Sequence, residues 1–328
     1  MGERVFDGHS DLLCDVARRR LAGERQVLET RHLDTLRRGG VEGLVLALWA
    51  SAPGETFWRG TPWADPADFR GRTEQLLRHG RAELAESKHF RPVRTVAEAE
   101  AARSAGQIYA FLAAEGMAAA GEDPDGVDWY YEQGVRLGML TWNETNALAA
   151  GAGGDPSAGL TAAGRRAVRR MGELGMVIDV SHLNERGFWD VTDLADGPVI
   201  ASHSNCRTVC DVPRNLTDDQ LRRIRDTGGV AGLNAFHGFV HADRARQTAW
   251  TLALHAAHMA EVMGAEHVAC GFDFCFFMGP GNEGAAGLED AAGVPAFLRC
   301  LERLGMSERE RAGIARDNLL RVLRQRLG

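Results

Sequence analysis

The sequence lacks any run of about 18 apolar residues, which is the length that a membrane-spanning helix requires. Its first residues, MGERVFDGHSDLL, also lack the apolar segment and the small-residue cleavage site of a signal peptide. The six cysteines are scattered and form no CxxC pair, so a disulfide framework is not expected. Together these absences predict a cytoplasmic protein without a membrane partner.

Lysine is nearly absent, and basic charge is not in excess. The formal net charge is −7, and 37 of the 38 basic residues are arginines, with Lys88 as the single lysine. The arginines alternate with acidic residues, as in ERQVLETRHLDTLRR, which is typical of a solvated helix surface. Because nucleic-acid-binding proteins concentrate positive charge, this balance argues against a nucleic-acid partner.

Short apolar segments recur along the 328 residues and alternate with stretches of helical periodicity. This alternation indicates a parallel sheet, and the near-continuous apolar strands indicate that both of its faces are covered. Eight such units favour a (β/α)8 TIM barrel, which routinely uses about 250 residues or more, so residues 1–328 are predicted to form one domain. The predicted strands are 5–13, 41–49, 107–116, 139–143, 176–182, 198–204, 229–236 and 267–274.

The intervening segments provide helices and two long loops. No GxGxxG motif follows the first strand, which argues against a dinucleotide-binding fold. Thr217 is the expected N-cap of one helix, because acidic residues fill the first turn after it. The predicted helices are 68–87, 127–138, 161–175, 216–229, 251–264 and 307–327. Long loops are expected at 50–66 and 278–294, on the face where loops often cover an active site.

Side chains able to bind a metal stand at the ends of five of the eight predicted strands. In a barrel the carboxyl ends of the strands converge around one axis, so these side chains are expected to share a small volume. His237 follows the seventh strand and stays an open candidate for the same site. The residues at the five strand ends are His9 and Asp11, Glu115, His182, His203 and Asp273.

Imidazoles and carboxylates are the usual zinc ligands outside thiolate sites. Three histidines and up to three carboxylates exceed what one tetrahedral zinc requires, so two ions that share one carboxylate form the economical arrangement. Such ions, about 3.5–4 Å apart, can hold a bridging hydroxide and polarise a carbonyl together, although manganese or cobalt also suits these donors. A carbamylated lysine is not expected as the bridge, because Lys88 lies where a predicted helix passes into a loop.

Several motifs together resemble the membrane dipeptidase (renal dipeptidase) family, peptidase family M19, within the amidohydrolase-like barrels. They run from the first predicted strand to the last, and the combination of IDVSH, SHSN and PRN is specific. The motifs are DGHSDLL (7–13), EG (115–116), IDVSH (178–182), SHSN (202–205), PRN (213–215) and GFDF (271–274).

The resemblance implies a zinc-dependent dipeptidase on a (β/α)8 barrel. His9 and Asp11 would bind one zinc, and Glu115 would bridge both ions. His182 and His203 would bind the second zinc. Asp273 would handle the proton of the bridging hydroxide, and Arg214 would pair with the terminal carboxylate of a dipeptide, whose last residue can be a D-residue. The family also implies a homodimer.

The sequence departs from the family in two places. Trp142 stands where better-known members carry a histidine that contacts the substrate, so Trp142 is expected to bind substrate with Asn143, or with Asn146 in its place. Cys275 and Phe276 replace an Asp and a Gly after GFDF, and the apolar run FCFFMGP indicates a hydrophobic pocket or a lid. These departures leave two alternatives: a tailoring amide hydrolase of a specialised pathway, or a catalytically inactive metal-binding homologue.

Overall fold

The computed structural model describes residues 3–50, 61, 65, 67–123 and 125–328. Within these residues, helices follow strands along the chain. The strands are β1 (Val5–Ser10), β2 (Val41–Trp49), β3 (Phe90–Pro92), β4 (Ile108–Glu115), β5 (Val135–Met139), β6 (Val177–Asp179), β7 (Val199–Ile200), β8 (Ala231–Leu233) and β9 (Val268–Cys270). The α-helices are α1 (Leu12–Leu21), α2 (Leu33–Arg38), α3 (Phe69–Glu86), α4 (Val96–Ser104), α5 (Gly126–Glu132), α6 (Ala162–Glu173), α7 (Glu185–Leu194), α8 (Asp218–Asp226), α9 (His237–Val240), α10 (Ala249–Met263), α11 (Val294–Arg303), α12 (Glu308–Ala312) and α13 (Asn318–Leu327).

Six strands form a curled parallel sheet in the order β1–β2–β4–β5–β6–β7. Strand β2 pairs with β4 over most of its length, so β3 and β5 share the other edge of β4. Phe90 of β3 lies opposite Ile108 near the start of β4, and Val135 of β5 lies opposite Leu112 farther along. Because every pair is parallel, the carboxyl ends of these strands lie together at one edge of the sheet.

Strands β8 and β9 form a second parallel pair that lies between the two ends of the larger sheet. A backbone bridge between Ala201 and Ala231 joins the end of β7 to β8. On the other side, the amide of Asp273, just past β9, donates to the carbonyl of His9 in β1 at 3.3 Å. The predicted parallel α/β fold is confirmed in this form: a curled sheet of six consecutive strands, with β3 as a seventh strand beside β4, and a separate two-stranded sheet.

Two buried clusters follow from the alternation of side chains along the strands. One cluster joins side chains from many strands, and α13 packs against it with Leu319, Val322 and Leu323. The neighbouring strand residues, such as Val5, Leu44 and Leu112, point away from it and pack in a larger cluster with the flanking helices. The strand residues of the first cluster are Phe6, Val45, Tyr109, Phe111, Ala113, Leu137, Val177, Ile200 and Ala269.

The fourth predicted strand is wrong in position. The periodicity predicts a helix over 127–138, but α5 ends at Glu132 and β5 already begins at Val135. Gly134, at φ 88°, turns the chain between them, and the alternating residues of β5 then bury their side chains. Residues 139–143 therefore form the end of β5 and the loop beyond it. Strand β3 is absent from the prediction, because three residues carry no periodic signal.

The helix predictions fare better. Thr217 caps α8 as expected, and its hydroxyl and the Gln220 side chain form a reciprocal capping box.

The predicted loop at 278–294 is held by backbone bridges of Gly284 to Phe236 and of Ala286 to Thr248. Most of the loop predicted at 50–66 lies outside the described residues. Among the helices that the structure describes, none has the length and apolar character that a membrane crossing requires.

Candidate metal centre

The residues that sequence analysis places at strand ends come together at the carboxyl edge of the sheet. His9 lies in β1 and Asp11 follows it, whereas Glu115 is the last residue of β4. His182, His203 and Asp273 follow β6, β7 and β9, respectively, by three residues each, in the connecting turns. The side chains of all six residues except Asp273 are buried, which is unusual for so many titratable groups in one place.

Glu115 lies between two sets of histidines. Its Oε2 is 3.2 Å from Nε2 of His9. Its Oε1 is 2.9 Å from Nε2 of His182 and 3.8 Å from Nε2 of His203. The two oxygens of one carboxylate thus face different imidazoles, which is the geometry that a bridging ligand needs.

A second group of donors lies near the same nitrogen of His9. Nε2 of His9 is 4.0 Å from Oδ1 of Asp11 and 3.9 Å from Oδ1 of Asp273. The donor atoms of this group lie within 4.8 Å of one another, as do those of His9, Glu115 and His203. His9 therefore belongs to both groups, and Glu115 connects His9 with His182 and His203.

Neighbouring side chains orient two of the histidines. Nδ1 of His182 lies 2.8 Å from Oδ1 of Asn143, and an amide oxygen only accepts, so Nδ1 carries the proton. Nδ1 of His203 lies 2.7 Å from the hydroxyl of Ser202. Both rings therefore direct Nε2 towards Glu115, and these two Nε2 atoms are only 2.8 Å apart. Such outer hydrogen bonds are typical of metal-binding histidines, because they fix the tautomer and the ring plane.

The electrostatics of the group fit a bound cation. Burial raises the pKa of Asp11 well above its usual range, and the nearby Glu115 carboxylate adds to the shift. Burial likewise raises the pKa of Glu115, with Asp273 as the next cause, whereas burial lowers the pKa of His182 and of His203. Crowded carboxylates repel one another, and a divalent metal replaces the protons that would otherwise neutralise them. A neutral imidazole is also the form of histidine that binds a metal.

Buried polar atoms without a hydrogen-bond partner also indicate a site for a bound cation. Both ring nitrogens of His9, Oδ1 of Asp11 and Oε2 of Glu115 are buried and have no hydrogen-bond partner. An unsatisfied buried polar group is destabilising by about 1–3 kcal/mol, so four in one place need a compensating ligand. The donor set passes this test for a metal such as zinc, which binds imidazole and carboxylate.

Two turns at this centre have strained backbones. His182 and Asp273 adopt φ of 69° and 58°, a left-handed conformation that residues other than glycine rarely adopt. Such strain persists where surrounding structure enforces it, commonly at functional sites. Gly271 lets the turn before Asp273 approach Ser202 closely, because a Cβ at Gly271 would lie 1.7 Å from the carbonyl oxygen of Ser202.

Two buried aspartates that sequence analysis overlooks hold the turns of this centre in place. Oδ1 of Asp179 accepts from the amides of Ser181 and Ser202, and so ties the turn after β6 to the turn after β7. Oδ1 of Asp7 accepts from the amide of Phe272 at 2.8 Å, which ties β1 to the turn after β9. Their signal in the sequence is an aspartate two or three residues before a histidine of this centre, as in DGH and DVSH.

Asn234 is a further residue that sequence analysis misses. Its Nδ2 donates to Oδ2 of Asp273 at 3.0 Å and to the carbonyl of His203 at 3.3 Å. One oxygen of Asp273 is thereby held, and the other faces His9. The side chain of Asp273 is 17% exposed, against 3% for Glu115, so Asp273 is the carboxylate more open to a bound molecule.

Arg214 lies beside this group as a buried cation. Its guanidinium donates to the Ser204 hydroxyl and to the His203 carbonyl, both at 3.3 Å, and its Nε has no hydrogen-bond partner. It forms no ion pair with a carboxylate in the part of the chain that the structure describes. Burial lowers the pKa of Arg214 to about 10. A buried guanidinium that makes only two long hydrogen bonds is suited to receive an anionic group.

The remaining candidates divide into two sets. Trp142 lies next to the centre, with its ring 5.5 Å from that of Trp49 and 6.0 Å from that of His182. Asn143 contacts His182 as described. The side chain of Asn146, by contrast, bonds to backbone groups of its own loop, and Nε2 of His237 lies 3.2 Å from the carbonyl of Gly281.

Comparison with known proteins agrees with this architecture. The structure superposes with a TM-score of 0.84 and 28% identity on a metallopeptidase from Rhodobacter sphaeroides, solved with a phosphinate mimic of the dipeptide L-Ala-D-Ala, covering 100% of both chains. It superposes with a TM-score of 0.86 and 29% identity on a family M19 metallopeptidase named dipeptidase AC, again covering 100% of both chains.

Curated relatives are similar over part of the sequence. An uncharacterized protein from the pqqA 5' region of Klebsiella pneumoniae is 39% identical over 217 residues, which are 63% of this chain and 78% of that protein. An uncharacterized dipeptidase of Schizosaccharomyces pombe is 35% identical over 228 residues, which are 67% of this chain and 53% of that protein. The model of the membrane dipeptidase family, peptidase family M19, matches residues 3–327. The chain therefore belongs to this family of metal-dependent hydrolases that act on peptide bonds.

Proposed function

We propose that the chain is a zinc-dependent dipeptidase with a dinuclear centre. His9 and Asp11 would hold one ion and His182 and His203 the other, with Glu115 shared between them. The position of Glu115 carries this proposal, because its two oxygens face separate histidines at 3.2 Å and 2.9 Å. The proposal includes a closed (β/α)8 barrel formed by residues 1–328 as one domain.

The residues divide the chemistry among them. Bound zinc would polarise the scissile carbonyl and lower the pKa of water, so that a nucleophile forms near neutral pH. Asp273, with one oxygen held by Asn234 and the other directed into the centre, would accept the proton of the attacking water and deliver it to the leaving amine. The carboxylates of Asp11 and Glu115 would stay ionised as ligands.

Arg214 would select the substrate by its length. A planar guanidinium matches a carboxylate with two parallel hydrogen bonds, and here it is buried beside His203. A dipeptide places its terminal carboxylate one residue from the scissile bond, whereas a longer peptide would place a neutral amide there. The bound L-Ala-D-Ala mimic of the Rhodobacter neighbour supports dipeptides with a D-residue at the carboxyl end as candidate substrates.

The tailoring alternative remains a second candidate because of Trp142. This ring and Trp49 form an aromatic wall beside His182, where a larger acyl group could pack. In that case the enzyme would release an amino acid from a bulky conjugate. The Arg214 role would be unchanged, since the released residue still carries the carboxylate.

Amine release by zinc-loaded protein tests the proposal. The panel contains L,L and L,D dipeptides, the matching dipeptide amides, and N-acyl amino acids with large aromatic acyl groups. We expect hydrolysis of the dipeptides and little hydrolysis of the amides. Rapid hydrolysis of the acyl conjugates with poor use of dipeptides would favour the tailoring enzyme. Two bound zinc ions without any hydrolysis would indicate an inactive homologue and overturn the proposal.

A further inference from the structure

Cys275 is the cysteine that approaches the metal centre most directly. Its Sγ is 3.3 Å from Oδ1 of Asp273 and 3.6 Å from Oδ2 of Asp11. Cys14, one helical turn after Asp11, instead directs its Sγ to the carbonyl of Trp49 at 3.8 Å. Cys206 bonds to His255, away from the centre.

Independent of the cysteine, other donors are directed into the same space without partners. Nε2 of His9 and Oδ1 of Asp11 are buried, lack hydrogen bonds and are 4.0 Å apart. Oδ1 of Asp273, which contacts Cys275, is 3.9 Å from the same His9 nitrogen. One imidazole and two carboxylates therefore surround a single small volume, and the Cys275 thiol contacts both of these carboxylates.

The two sulfur–oxygen distances suit coordination of one ion by the thiol and a carboxylate. With a zinc–sulfur distance of about 2.3 Å and a zinc–oxygen distance of about 2.1 Å, a tetrahedral angle separates sulfur from oxygen by about 3.6 Å. The observed separations of 3.6 Å and 3.3 Å are close to this value. A thiol is only a weak hydrogen-bond donor, so its S–H stabilises two buried carboxylates poorly.

We propose that Cys275 is an additional ligand of the metal ion held by His9 and Asp11, and this inference rests on the dinuclear centre proposed above. The thiol loses its proton to solvent as the ion binds, and the sulfur coordinates as a thiolate. The ion at this position then has a mixed imidazole, carboxylate and thiolate environment. Such a site favours zinc, cobalt or cadmium over manganese, because thiolate is a soft ligand.

Cobalt spectroscopy tests the assignment without substrate. Metal-free protein is loaded with Co²⁺, bound cobalt is counted, and near-ultraviolet absorption is recorded for sulfur-to-cobalt charge transfer. The variants are Cys275→Ser, Cys275→Asp and the matched control Cys14→Ser. Circular dichroism of each variant verifies folding, and the Asp variant supplies a second, carboxylate-bearing replacement.

We expect the charge-transfer band in the unaltered protein and in Cys14→Ser. Both Cys275 variants should lose it while Cys275→Asp still binds two cobalt ions per chain. Two bound cobalt ions without the band in the unaltered protein would overturn the thiolate ligand and leave the dipeptidase proposal standing. A band that persists in both Cys275 variants would overturn it equally. Failure of the unaltered protein to bind cobalt would count against the metal centre itself.

Discussion

Oδ1 of Asn143 accepts a hydrogen bond from Nδ1 of His182 across 2.8 Å, and this contact sets which nitrogen of the ring faces Glu115. The departure from the family at Trp142 predicts that Asn143 assists in binding substrate, whereas the observed contact shows that it orients the ring of His182. The loop that carries Asn143 and Trp142 therefore lies directly against a histidine of the centre.

Replacement of Asn143 should weaken metal binding. Loss of such an outer hydrogen bond typically reduces metal affinity about 10- to 100-fold, so we expect this loss for Asn143→Ala in a competition titration with a zinc chelator. Asn143→Asp retains the acceptor oxygen and should bind zinc nearly as well as the unaltered protein. Equal affinity in Asn143→Ala would show that His182 needs no support from this loop.

Asp273→Asn should separate catalysis from metal binding. The amide cannot accept the proton of the attacking water, so kcat should fall by about 10²- to 10⁴-fold. Zinc content, measured by elemental analysis, should stay unchanged. The comparison variant is Asp11→Asn, which should lose zinc as well as activity. A substantial kcat in Asp273→Asn would assign the proton transfer to another group.

Arg214→Met should remove recognition of the terminal carboxylate. A hydrogen bond to a charged group contributes about 1.5–3 kcal/mol, so kcat/KM for dipeptides should fall roughly 10- to 100-fold or more. The ratio of dipeptide to dipeptide-amide hydrolysis should collapse towards one. Arg207→Met is the matched control, because Arg207 bonds to the Asn215 carbonyl outside the centre. An unchanged ratio in Arg214→Met would contradict the anchoring role.

His255 should make stability fall with acid. Burial lowers the pKa of His255 to about 4, below its usual value of 6.5. Between these values the unfolded chain binds a proton that the folded chain does not, so the free energy of unfolding decreases as pH falls from 6.5 to 4. The expected total is about 3 kcal/mol.

Urea denaturation at several pH values measures this dependence. His255→Gln can still donate to the Val240 carbonyl but cannot titrate, so its stability should vary less over the same range. His258→Gln, on the same helix, is the matched control and should keep the pH dependence. A similar slope in His255→Gln and the unaltered protein would place the titrating group elsewhere.

Metal removal should destabilise the fold. Ligand binding stabilises the native state by about 4 kcal/mol at a free concentration 1,000 times Kd, so chelation should lower the melting temperature and zinc should restore it. Glu115→Gln removes a buried carboxylate from beside Asp11, so the metal-free variant should melt higher than the metal-free unaltered protein. It should gain less from added zinc. A metal-free Glu115→Gln that melts lower would show that the carboxylate stabilises the fold unaided.

Much of the centre was predictable because strand ends are visible in the sequence. His9, Glu115 and Asp273 each follow an apolar segment, and parallel strands bring such ends to one edge. The family motifs then add Arg214, which no strand carries and which packs beside the ligands only through the fold of its loop. The order of strands β1, β2, β4 to β7 also follows from the chain order of the apolar segments.

Other features depend on contacts that periodicity does not encode. Strand β5 has only five residues, with half-buried Arg136 among them, so its signal is weaker than that of the flanking helix. The roles of Asp179 and Asn234 arise from hydrogen bonds to residues 23 and 39 positions away. The left-handed backbone of His182 likewise depends on the turn around it, since only a few per cent of residues other than glycine adopt that conformation.

The separation of Asp11 from Cys275 by 264 residues has a consequence for the proposed metal centre. At about 5–20 residues per second, roughly 15–50 s would pass between the synthesis of the first proposed ligand and the last. During that interval an ion on the nascent His9–Asp11 segment would have an incomplete ligand set and would exchange readily. The ions present when the last turn closes would therefore decide which metal the centre keeps.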